Sequence, residues 1–341
     1  MAISNDLLSS TLYSIRDGEV DELFQKVAFL DNAKRFNGIE YEDGGIKIQR
    51  PLSIAEHSQI TNLPTGYESV NLAVKDVLQP AIYEWSDFTA PIVITKKEEL
   101  ENKGEKAIVK IVEARMRSVM GMLRRELNKQ LLRGNSTILT TVNTLNGAVT
   151  GGFLEAETKT EQGANGNTVG GVSKQTYPVN GWLNQAADVQ NDFSTHGIVE
   201  MQKMAIKANT VTHMGEVQCV LLSEAAMANY RRALFAQERY INEKTLDGGR
   251  MQLAFGGAVV EQDLELGFDY TSTDFGAGKL SGYFLNFDGV KLCMHKDADF
   301  AVSPFEHISG TTARAAQLYV KMQLIADHLG SCGVLFDAET Y

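Results

Sequence analysis

The sequence has 341 residues, of which 43% are hydrophobic and 22% are charged, and 43 acidic against 32 basic residues give it a net charge of −11 at pH 7. This length and composition predict a folded chain with one large or two ordinary domains and exclude an intrinsically disordered protein. The negative charge argues against a protein that binds nucleic acid through a broad basic face, because such a face needs clustered Lys and Arg.

The three cysteines, Cys219, Cys293 and Cys332, lie far apart and form no Cys-x-x-Cys pair. Their number and spacing argue against a disulfide framework and a zinc site and favour reduced, mostly buried thiols in a protein made in a cytoplasm. The N-terminus has neither the basic nor the apolar segment of a secretory signal, and no run of 18 apolar residues could span a membrane. We therefore expect no membrane partner.

The first 36 residues are predicted to form two short helices on either side of Asp17 and Gly18. In each helix, apolar residues recur three or four positions apart. They are Leu7, Leu8, Leu12 and Ile15 in the first helix and Val20, Leu23, Phe24, Val27 and Leu30 in the second. Helices this short are unstable alone, so we interpret the region as an N-terminal arm that must lie against another surface.

Residues 46–94 are predicted to form an extended β excursion that follows a turn at residues 43–45. Apolar and polar residues alternate in its first strand, and Pro51 indicates an edge strand. Residues 62–66 are a predicted turn at the tip. The chain is predicted to return through segments that carry Val70, Leu72 and Val74 and then Ile82, Tyr83 and Trp85. The excursion has too few large apolar residues for a core of its own. It packs either on another subunit or, as an ordinary hairpin, on its own domain.

The longest periodic segment is predicted to be a single helix over residues 105–133, here called the spine helix. Thr95 and Glu98 match a capping box before it, Asn102 is a candidate N-cap, and Gly134 is a natural stop. One apolar stripe runs along the helix through Ile108, Ile111, Val112, Met116, Val119, Met120, Leu123, Leu127 and Leu131. A helix of this length spans about 43 Å. The pattern fits a spine on which other elements pack, and it also fits a bundle helix or a coiled coil.

Residues 134–190 are rich in Gly, Thr, Asn and Ser and are predicted to be loop with short strands. From about residue 191, helices and strands alternate, which predicts a compact α/β half. Its predicted elements are a helix capped by Ser194 or Thr195, a strand at 217–222, a helix that begins at Ser223, and strands at 255–260 and 283–287. A long strand from residue 315 is expected to close the chain and to pair with elements that flank the spine helix.

No motif with catalytic spacing occurs in the sequence, which has no Gly-x-Ser-x-Gly elbow, no His-Glu-x-x-His helix and no phosphate loop ending in Gly-Lys-Ser/Thr. We interpret His295, two residues from Cys293, as a partly exposed histidine at a strand end and not as a metal ligand. We therefore assign no catalytic, cofactor-binding or metal-binding residue and expect no cofactor. The residues alone describe an α+β chain whose arms favour an assembly protein.

Several strings of the sequence are distinctive when taken in order. They are SSTL, VAFLDNAKRFN and DGGIKIQRPL in the N-terminal region, TGYESVNLAVKDVLQPAIYEWSDFTAPIVIT before the spine helix, GEKAIVKIVEARMRSVMGMLRRELNKQLLRG for that helix, TVGGVSKQTYPVNGWLN after it, and AAQLYVKMQLIADHLGSCGVLFD at the end. In this order they resemble the major capsid proteins of tailed bacteriophages with the Hong Kong 97 fold, and the resemblance covers essentially the whole chain.

The resemblance implies an α+β fold with four parts. These are an N-terminal arm at 1–45, an extended β loop, the E-loop, at 46–94, a peripheral domain at 95–190 and 310–341 that contains the spine helix, and an axial α/β domain at 191–309. The arm and the E-loop would lie over neighbouring subunits. We predict that Leu63, Pro64 and Tyr67 at the E-loop tip contact an adjacent subunit.

The function implied by the resemblance is mechanical. Hexamers and pentamers of the chain would close an icosahedral shell around double-stranded DNA, without sequence-specific binding, in the cytoplasm of a host bacterium. Portal, scaffolding and decoration proteins are the implied partners, and the virion capsid is the implied location. Two alternatives are an encapsulin-type shell that encloses cargo proteins and an enzyme with a site in the α/β half after residue 191.

Overall fold

The computed structural model of the chain describes residues 12, 15–16, 18–23, 27–53, 62, 64, 66–67, 69, 77–101, 105–147, 152–154, 168–174, 182–189, 193–211, 215–236, 244–245, 251–266 and 279–337. In this part of the chain, the helices are α1 Ala28–Arg35, α2 Lys96–Glu101, α3 Glu105–Arg133, α4 Ile198–Val211 and α5 Glu224–Ala236. The strands are β1 Ile39–Glu42, β2 Lys47–Ser53, β3 Leu78–Glu84, β4 Ser86–Thr95, β5 Thr144–Asn146, β6 Gly152–Leu154, β7 Thr168–Val169, β8 Val172–Ser173, β9 Gln185–Asp188, β10 Cys219–Leu222, β11 Lys244–Thr245, β12 Met251–Phe255, β13 Ala258–Gln262, β14 Lys279–Leu285, β15 Val290–His295, β16 Ala301–Val302, β17 Glu306–His307, β18 Ala313–Ala326 and β19 Gly333–Asp337.

Strand β18 is the centre of the first sheet, which has six strands in the described part of the chain. One edge of β18 pairs antiparallel with the whole of β4, from Ala313↔Thr95 to Met322↔Ser86. Its other edge pairs in succession with β17, β16 and β15, and β1 adds to β15 in parallel. The closing strand was predicted to pair with elements that flank the spine helix. This is confirmed for β18, because its partner β4 leads into α2 and α3, whereas the last described strand, β19, pairs with β14 and β9.

The spine helix α3 has the predicted bounds, Glu105–Arg133. Its buried side chains belong to one core cluster with alternate residues of β18, whereas Gln317 and Tyr319 of β18 face away and are exposed. The cluster includes Val112, Met116, Met120, Leu127 and Leu131 of the helix and Ala316, Leu318, Val320 and Met322 of β18. The spine is therefore a helix packed on a sheet and not part of a bundle or a coiled coil.

The second sheet has seven strands in the order β11-β12-β13-β10-β14-β19-β9. Two of its pairings, β10 with β13 and β19 with β9, are parallel. Helices α4 and α5 pack on it through a separate core cluster, which includes Met201, Met204, Val220, Met227, Tyr230 and Phe284. The predicted α/β pattern after residue 191 is confirmed in its main elements.

Two predicted elements of this half are wrong in detail. The helical segment begins before the predicted caps Ser194 and Thr195, because Phe193–Gly197 form a π-helical turn that leads into α4. Residues 255–260 are not one strand, because β12 ends at Phe255 and β13 begins at Ala258 after a two-residue turn. Gly256 and Gly257 make this turn with φ +57° and +98°, a conformation that glycine adopts at little cost.

The C-terminal end of the spine helix is fully capped. Gly134, with φ +70°, donates its N–H to the carbonyl of Gln130 at 3.0 Å. The carbonyls of the next three residues, 131, 132 and 133, accept from Thr144 Oγ1, Tyr283 Oη and Asn146 Nδ2 at 3.2, 3.0 and 2.8 Å. All four carbonyls that an α-helix leaves free at this end thus have a donor. Because Tyr283 lies on β14, its hydrogen bond also connects the end of the helix to the second sheet.

Helix α2 starts as the sequence predicts. The N–H of Thr95 donates to Glu98 Oε2 at 3.0 Å, and the N–H of Glu98 donates to Thr95 Oγ1 at 3.4 Å, so the capping box is formed. The predicted N-cap of the spine helix, Asn102, lies outside the described residues.

The N-terminal region differs from its prediction. Gly18 lies within the helical residues 18–23, and the chain is extended at Val27, with φ −105° and ψ 119°, just before α1. Gly18 itself is therefore helical, whereas Asp17, the other residue of the predicted break, lies outside the described residues. Leu12, Leu23, Phe29 and Leu30 are buried in the same core cluster as the spine helix, and burial on the sheet outweighs the weak helical preference of glycine. The described part of the arm thus lies against its own subunit.

The two sheets draw on interleaved parts of the chain. Strands β15, β16 and β17, at residues 290–307, belong to the six-stranded sheet, whereas β9 and β19 belong to the seven-stranded sheet. Sheet membership therefore crosses the sequence ranges of the expected peripheral and axial domains. Among the described residues, no helix is long and apolar enough to span a membrane.

Candidate functional site

Strands β2 and β3 form an antiparallel ribbon that belongs to neither large sheet. We call these two strands the arm ribbon. They pair from Lys47↔Glu84 to Ser53↔Leu78. An isolated two-stranded ribbon is marginal in water, so its stability depends on what its two faces touch. The inner face is buried through Ile48, Leu52, Ala81 and Tyr83.

The inner face is attached to the body through specific contacts. Tyr83 Oη donates to the carbonyl of Ala326 at 2.9 Å, and the Tyr83 ring lies 6.2 Å from the ring of Phe153. Burial raises the pKa of Tyr83 well above its ordinary value, so the phenol stays protonated as a donor. The N–H of Ile82 donates to the carbonyl of Gly170 at 2.8 Å. A Cβ at Gly170, which has φ +58°, would lie 2.8 Å from the Ala81 side chain, so this contact needs glycine.

Five charged side chains meet beneath the ribbon, and we call them the Arg50 cluster: Arg50, Lys291, Glu40, Glu42 and Asp327. Arg50 Nη2 lies 2.8 Å from Glu40 and 3.0 Å from Glu42, and its Nε lies 3.6 Å from Asp327. Lys291 Nζ lies 3.5 Å from Glu40 and 3.3 Å from Asp327. The side chain of Arg50 is only 18% exposed.

Charge interactions within the cluster keep Glu40 and Arg50 ionised. Burial alone would raise the pKa of Glu40, but the hydrogen bonds and charges of Arg50 and Lys291 outweigh burial and hold that pKa below its ordinary value. Burial alone would likewise lower the pKa of Arg50, and Glu40, Asp327 and Glu42 together raise it. Glu40 and Arg50 therefore stay charged at neutral pH.

Gln323 joins three segments at the base of the ribbon. Its Nε2 donates to the carbonyls of Glu84 and Thr141 at 2.7 and 3.2 Å and to Ser86 Oγ at 3.2 Å. Its Oε1 accepts from the N–H of Asn143 at 2.8 Å. This one buried amide thus fixes the end of β3 against β18 and the loop after the spine helix.

The outer face of the arm ribbon is exposed and, beyond its base, uncharged. At the base, Lys47 Nζ lies 2.9 Å from Glu84 Oε1. The pairs further out are Gln49 with Ile82, Pro51 with Pro80, and Ser53 with Leu78. Leu78 is 63% exposed and Ile82 is 39% exposed. An exposed surface with apolar side chains and no charge is typical of the centre of a protein–protein interface.

The predicted tip contacts are only partly described. Leu63 lies outside the described residues, as do Val70, Leu72 and Val74 of the predicted return. Pro64 is exposed and Tyr67 is 95% exposed. Their contact with an adjacent subunit stays a prediction.

Sequence reasoning missed Arg50 and Gln323. The available signal for Arg50 was its position between Ile48 and Leu52, where alternation places it on the buried face of a strand and so requires acidic partners. It also missed Lys174, whose Nζ is fully buried and donates to the carbonyl of Phe153 and, at 3.0 Å, to Asn184 Oδ1.

The remaining predictions about chemistry concern cysteine, histidine and metal. Cys219, Cys293 and Cys332 are free and buried, as predicted, and burial raises the pKa of Cys293 to about 12 and that of Cys332 to about 11. His295 lies partly exposed at the end of β15, also as predicted. Among the described residues, no group of three or more His, Cys, Asp or Glu side chains is placed to hold a metal ion.

A scan against protein-family models and a search of curated proteins each gave no match. Solved structures do match. A chain in the capsid asymmetric unit of cyanophage A-1(L) is 16% identical, with a TM-score of 0.57 over 89% of this chain and 91% of that chain. A chain in the capsid of Myoviridae phage XM1 is 9% identical, with a TM-score of 0.52 over 89% and 91%. A chain of the holo-SrpI encapsulin complex from Synechococcus elongatus PCC 7942 is 10% identical, with a TM-score of 0.50 over 89% and 86%.

These matches confirm the predicted fold class. The chain has an α+β fold of the Hong Kong 97 type, shared with chains of phage capsids and of an encapsulin complex.

Proposed function

We propose that this chain, which has the Hong Kong 97 fold, is the major capsid protein of a tailed bacteriophage. Many copies assemble as hexamers and pentamers into an icosahedral shell that encloses double-stranded DNA. The fold likeness to chains of two phage capsids, over 89% of this chain in each case, supports the proposal.

The observation that carries the proposal is the arm ribbon. Its inner face is held by the body, while its outer face presents Leu78 and Ile82 to solvent, and Tyr67 near the tip is also exposed. Burying such side chains is worth about 1.5–3 kcal/mol each. A neighbouring subunit that packs against this face and the tip is stabilised by this burial, and a closed shell repeats the contact at every such interface.

The domain assignment is part of the proposal. We assign residues 1–45 to the N-terminal arm, 46–94 to the E-loop, 95–190 and 310–341 to the peripheral domain, and 191–309 to the axial domain, which meets its copies around the ring centres. The exchange of strands between the two sheets supports a peripheral and an axial domain that move as one rigid unit. The arm and the E-loop are the parts that reach neighbours.

The partners and the location follow from the shell function. We propose that a portal, a scaffolding protein and a decoration protein act with the chain, that assembly takes place in the cytoplasm of the host bacterium, and that the chain resides in the virion capsid. A net charge of −11 suits a shell that encloses DNA without binding its sequence, because a basic lining would hold the duplex. The proposed role is structural and not enzymatic.

An encapsulin-type shell that encloses cargo proteins is the second candidate, favoured by the match to a chain of an encapsulin complex at a TM-score of 0.50. The content of purified particles separates the two. Nuclease-treated particles with protected duplex DNA support the capsid, and particles with protein cargo and no DNA support the encapsulin. If the chain forms no particles when it is co-expressed with the products of neighbouring genes, both shell hypotheses are contradicted. The remaining alternative is then an enzyme with a site in the C-terminal half.

A further inference from the structure

The Arg50 cluster joins the arm ribbon to the body at one point. Arg50 lies on β2, midway along the inner face and between the buried residues Ile48 and Leu52. Its carboxylate partners come from two other segments of the body, because Glu40 and Glu42 lie on β1 and Asp327 follows β18. Lys291, on β15, pairs with Glu40 and Asp327 and completes the cluster.

The other contacts of the inner face are mainly apolar. Ile48, Leu52 and Ala81 are buried apolar side chains, whereas Tyr83, at the base of the ribbon, adds one directional contact through the hydrogen bond from its Oη to the carbonyl of Ala326. Apolar packing is non-directional, so a ribbon held by it alone can tilt on the surface. A guanidinium group is rigid and planar, and here its Nη2 lies within 3.0 Å of Glu40 and Glu42 while its Nε faces Asp327 at 3.6 Å, as an ion pair without a hydrogen bond.

The partial exposure of these side chains determines how much the cluster contributes to stability and how strongly it resists separation of its charges. The side chains of the five residues are between 18% and 32% exposed. Ion pairs at this depth add little net stability, because desolvation offsets most of the attraction, but they strongly disfavour any geometry that separates the charges. Their effect is therefore greater on the direction of the ribbon than on the stability of the chain.

We propose that Arg50 is a positioning residue that fixes the direction in which the arm ribbon leaves the body. The ribbon has one direction because the Arg50 guanidinium group can lie close to Glu40, Glu42 and Asp327 together only in one orientation. The importance of this direction for assembly rests on the proposed shell function. The attachment itself does not, and it is measurable on the unassembled chain.

The test measures the direction of the ribbon in the full-length chain. Cysteines introduced as Gln49→Cys on the outer face of β2 and Gln317→Cys on the exposed face of β18 carry spin labels, and both positions are exposed. The native thiols are buried, so they do not compete for label. Double electron–electron resonance, with labelled chain diluted in unlabelled chain, gives the distance distribution within one subunit.

We expect one narrow distance peak in the parent chain. Arg50→Gln, and Arg50→Lys, which keeps the charge but loses the fork, are expected to lose this single peak and give a broad or divided distribution. Lys47→Gln, which removes an exposed cation from the same strand, is the matched control and keeps the narrow peak.

A purely structural role for Arg50 predicts lower thermal stability with an unchanged distance peak. An unchanged narrow peak in both folded Arg50 variants would overturn the proposal. If Arg50→Gln fails to fold, Arg50→Lys alone decides the question. Neither outcome bears on whether the wild-type chain forms shells, so failure of this inference is distinct from failure of the proposed function.

Discussion

Arg50 is a charged residue at a position where the alternation of the strand predicts an apolar one. It occupies an inward position on a strand whose neighbouring inward positions are apolar, and it is accommodated because three carboxylates converge on it. Gln323 does the same on β18 through four hydrogen-bond partners from other segments. Both residues join parts of the chain that are distant in sequence.

Replacement of Arg50 by Gln is expected to lower the free energy of unfolding by about 1–3 kcal/mol at pH 7, less than for a fully buried pair because the cluster is partly exposed. The pKa of Glu40 is lowered in the folded state. Its contribution is therefore present above the ordinary pKa of a glutamate and is lost as the pH falls through the lowered value. Glu42, Asp327 and Lys291 are the other charged groups of the cluster.

Urea unfolding at neutral pH and at about pH 3 measures this difference. The gap between the parent chain and Arg50→Gln is expected to shrink at the lower pH. A gap that stays constant or widens would contradict the ionic role of the cluster. Lys47→Gln, in an exposed pair, is the control and is expected to cost less than about 1 kcal/mol.

Replacement of Gln323 by Met keeps the volume of the side chain but leaves the carbonyls of Glu84 and Thr141 and the N–H of Asn143 without this partner. Buried polar groups without partners cost about 1–3 kcal/mol each, so we expect a loss of about 2–5 kcal/mol. The exposed Gln317→Met on the same strand is expected to change stability by less than about 0.5 kcal/mol. Equal effects of the two variants in thermal unfolding would refute the role of Gln323.

At the scale of elements, prolines lie on the open edges of strands, where they remove an N–H that another strand could use for pairing. Pro51 faces Pro80 across the arm ribbon, and since neither has an N–H, this is a non-hydrogen-bonded pair whose nitrogens point outward. The N–H of Ile82, two residues from Pro80, points outward as well and donates to the carbonyl of Gly170.

On β4, the backbone nitrogens of Pro91 and Thr95 point to the same side, because the two residues are four positions apart on one strand. The N–H of Thr95 donates to Glu98 and not to β18, so this side is the open edge of β4. Each proline therefore blocks the addition of another strand.

The variant Pro91→Val restores an outward N–H on a strand whose second edge has no strand partner in the described part of the chain. We expect the unassembled variant to aggregate faster than the parent chain and to bind thioflavin T, because β-branched residues and free N–H groups favour edge pairing. Pro304→Val, in an exposed loop, is the control. Indistinguishable aggregation rates, followed by light scattering, would show that Pro91 has no such role.

The sequence predicts elements whose signals are local. The spine helix follows from its apolar stripe and from Gly134, and helix α2 follows from Thr95 and Glu98. Pairing partners are not local, because alternation tells which residues of a strand share a face but not which strand lies beside it. The parallel pairing of β1 with β15 and the partners of Arg50 therefore could not be predicted. The β12–β13 hairpin was missed although Gly256 and Gly257 mark its turn.

At the scale of the whole molecule, the chain has two core clusters, and the arm ribbon contributes its inner face to the first of them while its outer face is exposed. Leu78→Asp places a charge on that face, where Leu78 is 63% exposed. The stability of the isolated chain should change by less than about 0.5 kcal/mol, whereas assembly should be lost, because a buried unpaired charge in the interface costs several kcal/mol.

Leu78→Val keeps the face apolar and is the matched control for this variant. Sedimentation of both proteins under assembly conditions makes the comparison. Normal particles from Leu78→Asp would mean that the outer face of the arm ribbon is not buried between subunits.

Negative-stain electron microscopy of the purified chain, expressed alone and together with its genomic neighbours, tests the central claim most directly. The account predicts closed shells, or rings of five and six subunits. A monodisperse monomer or dimer under every condition would contradict it.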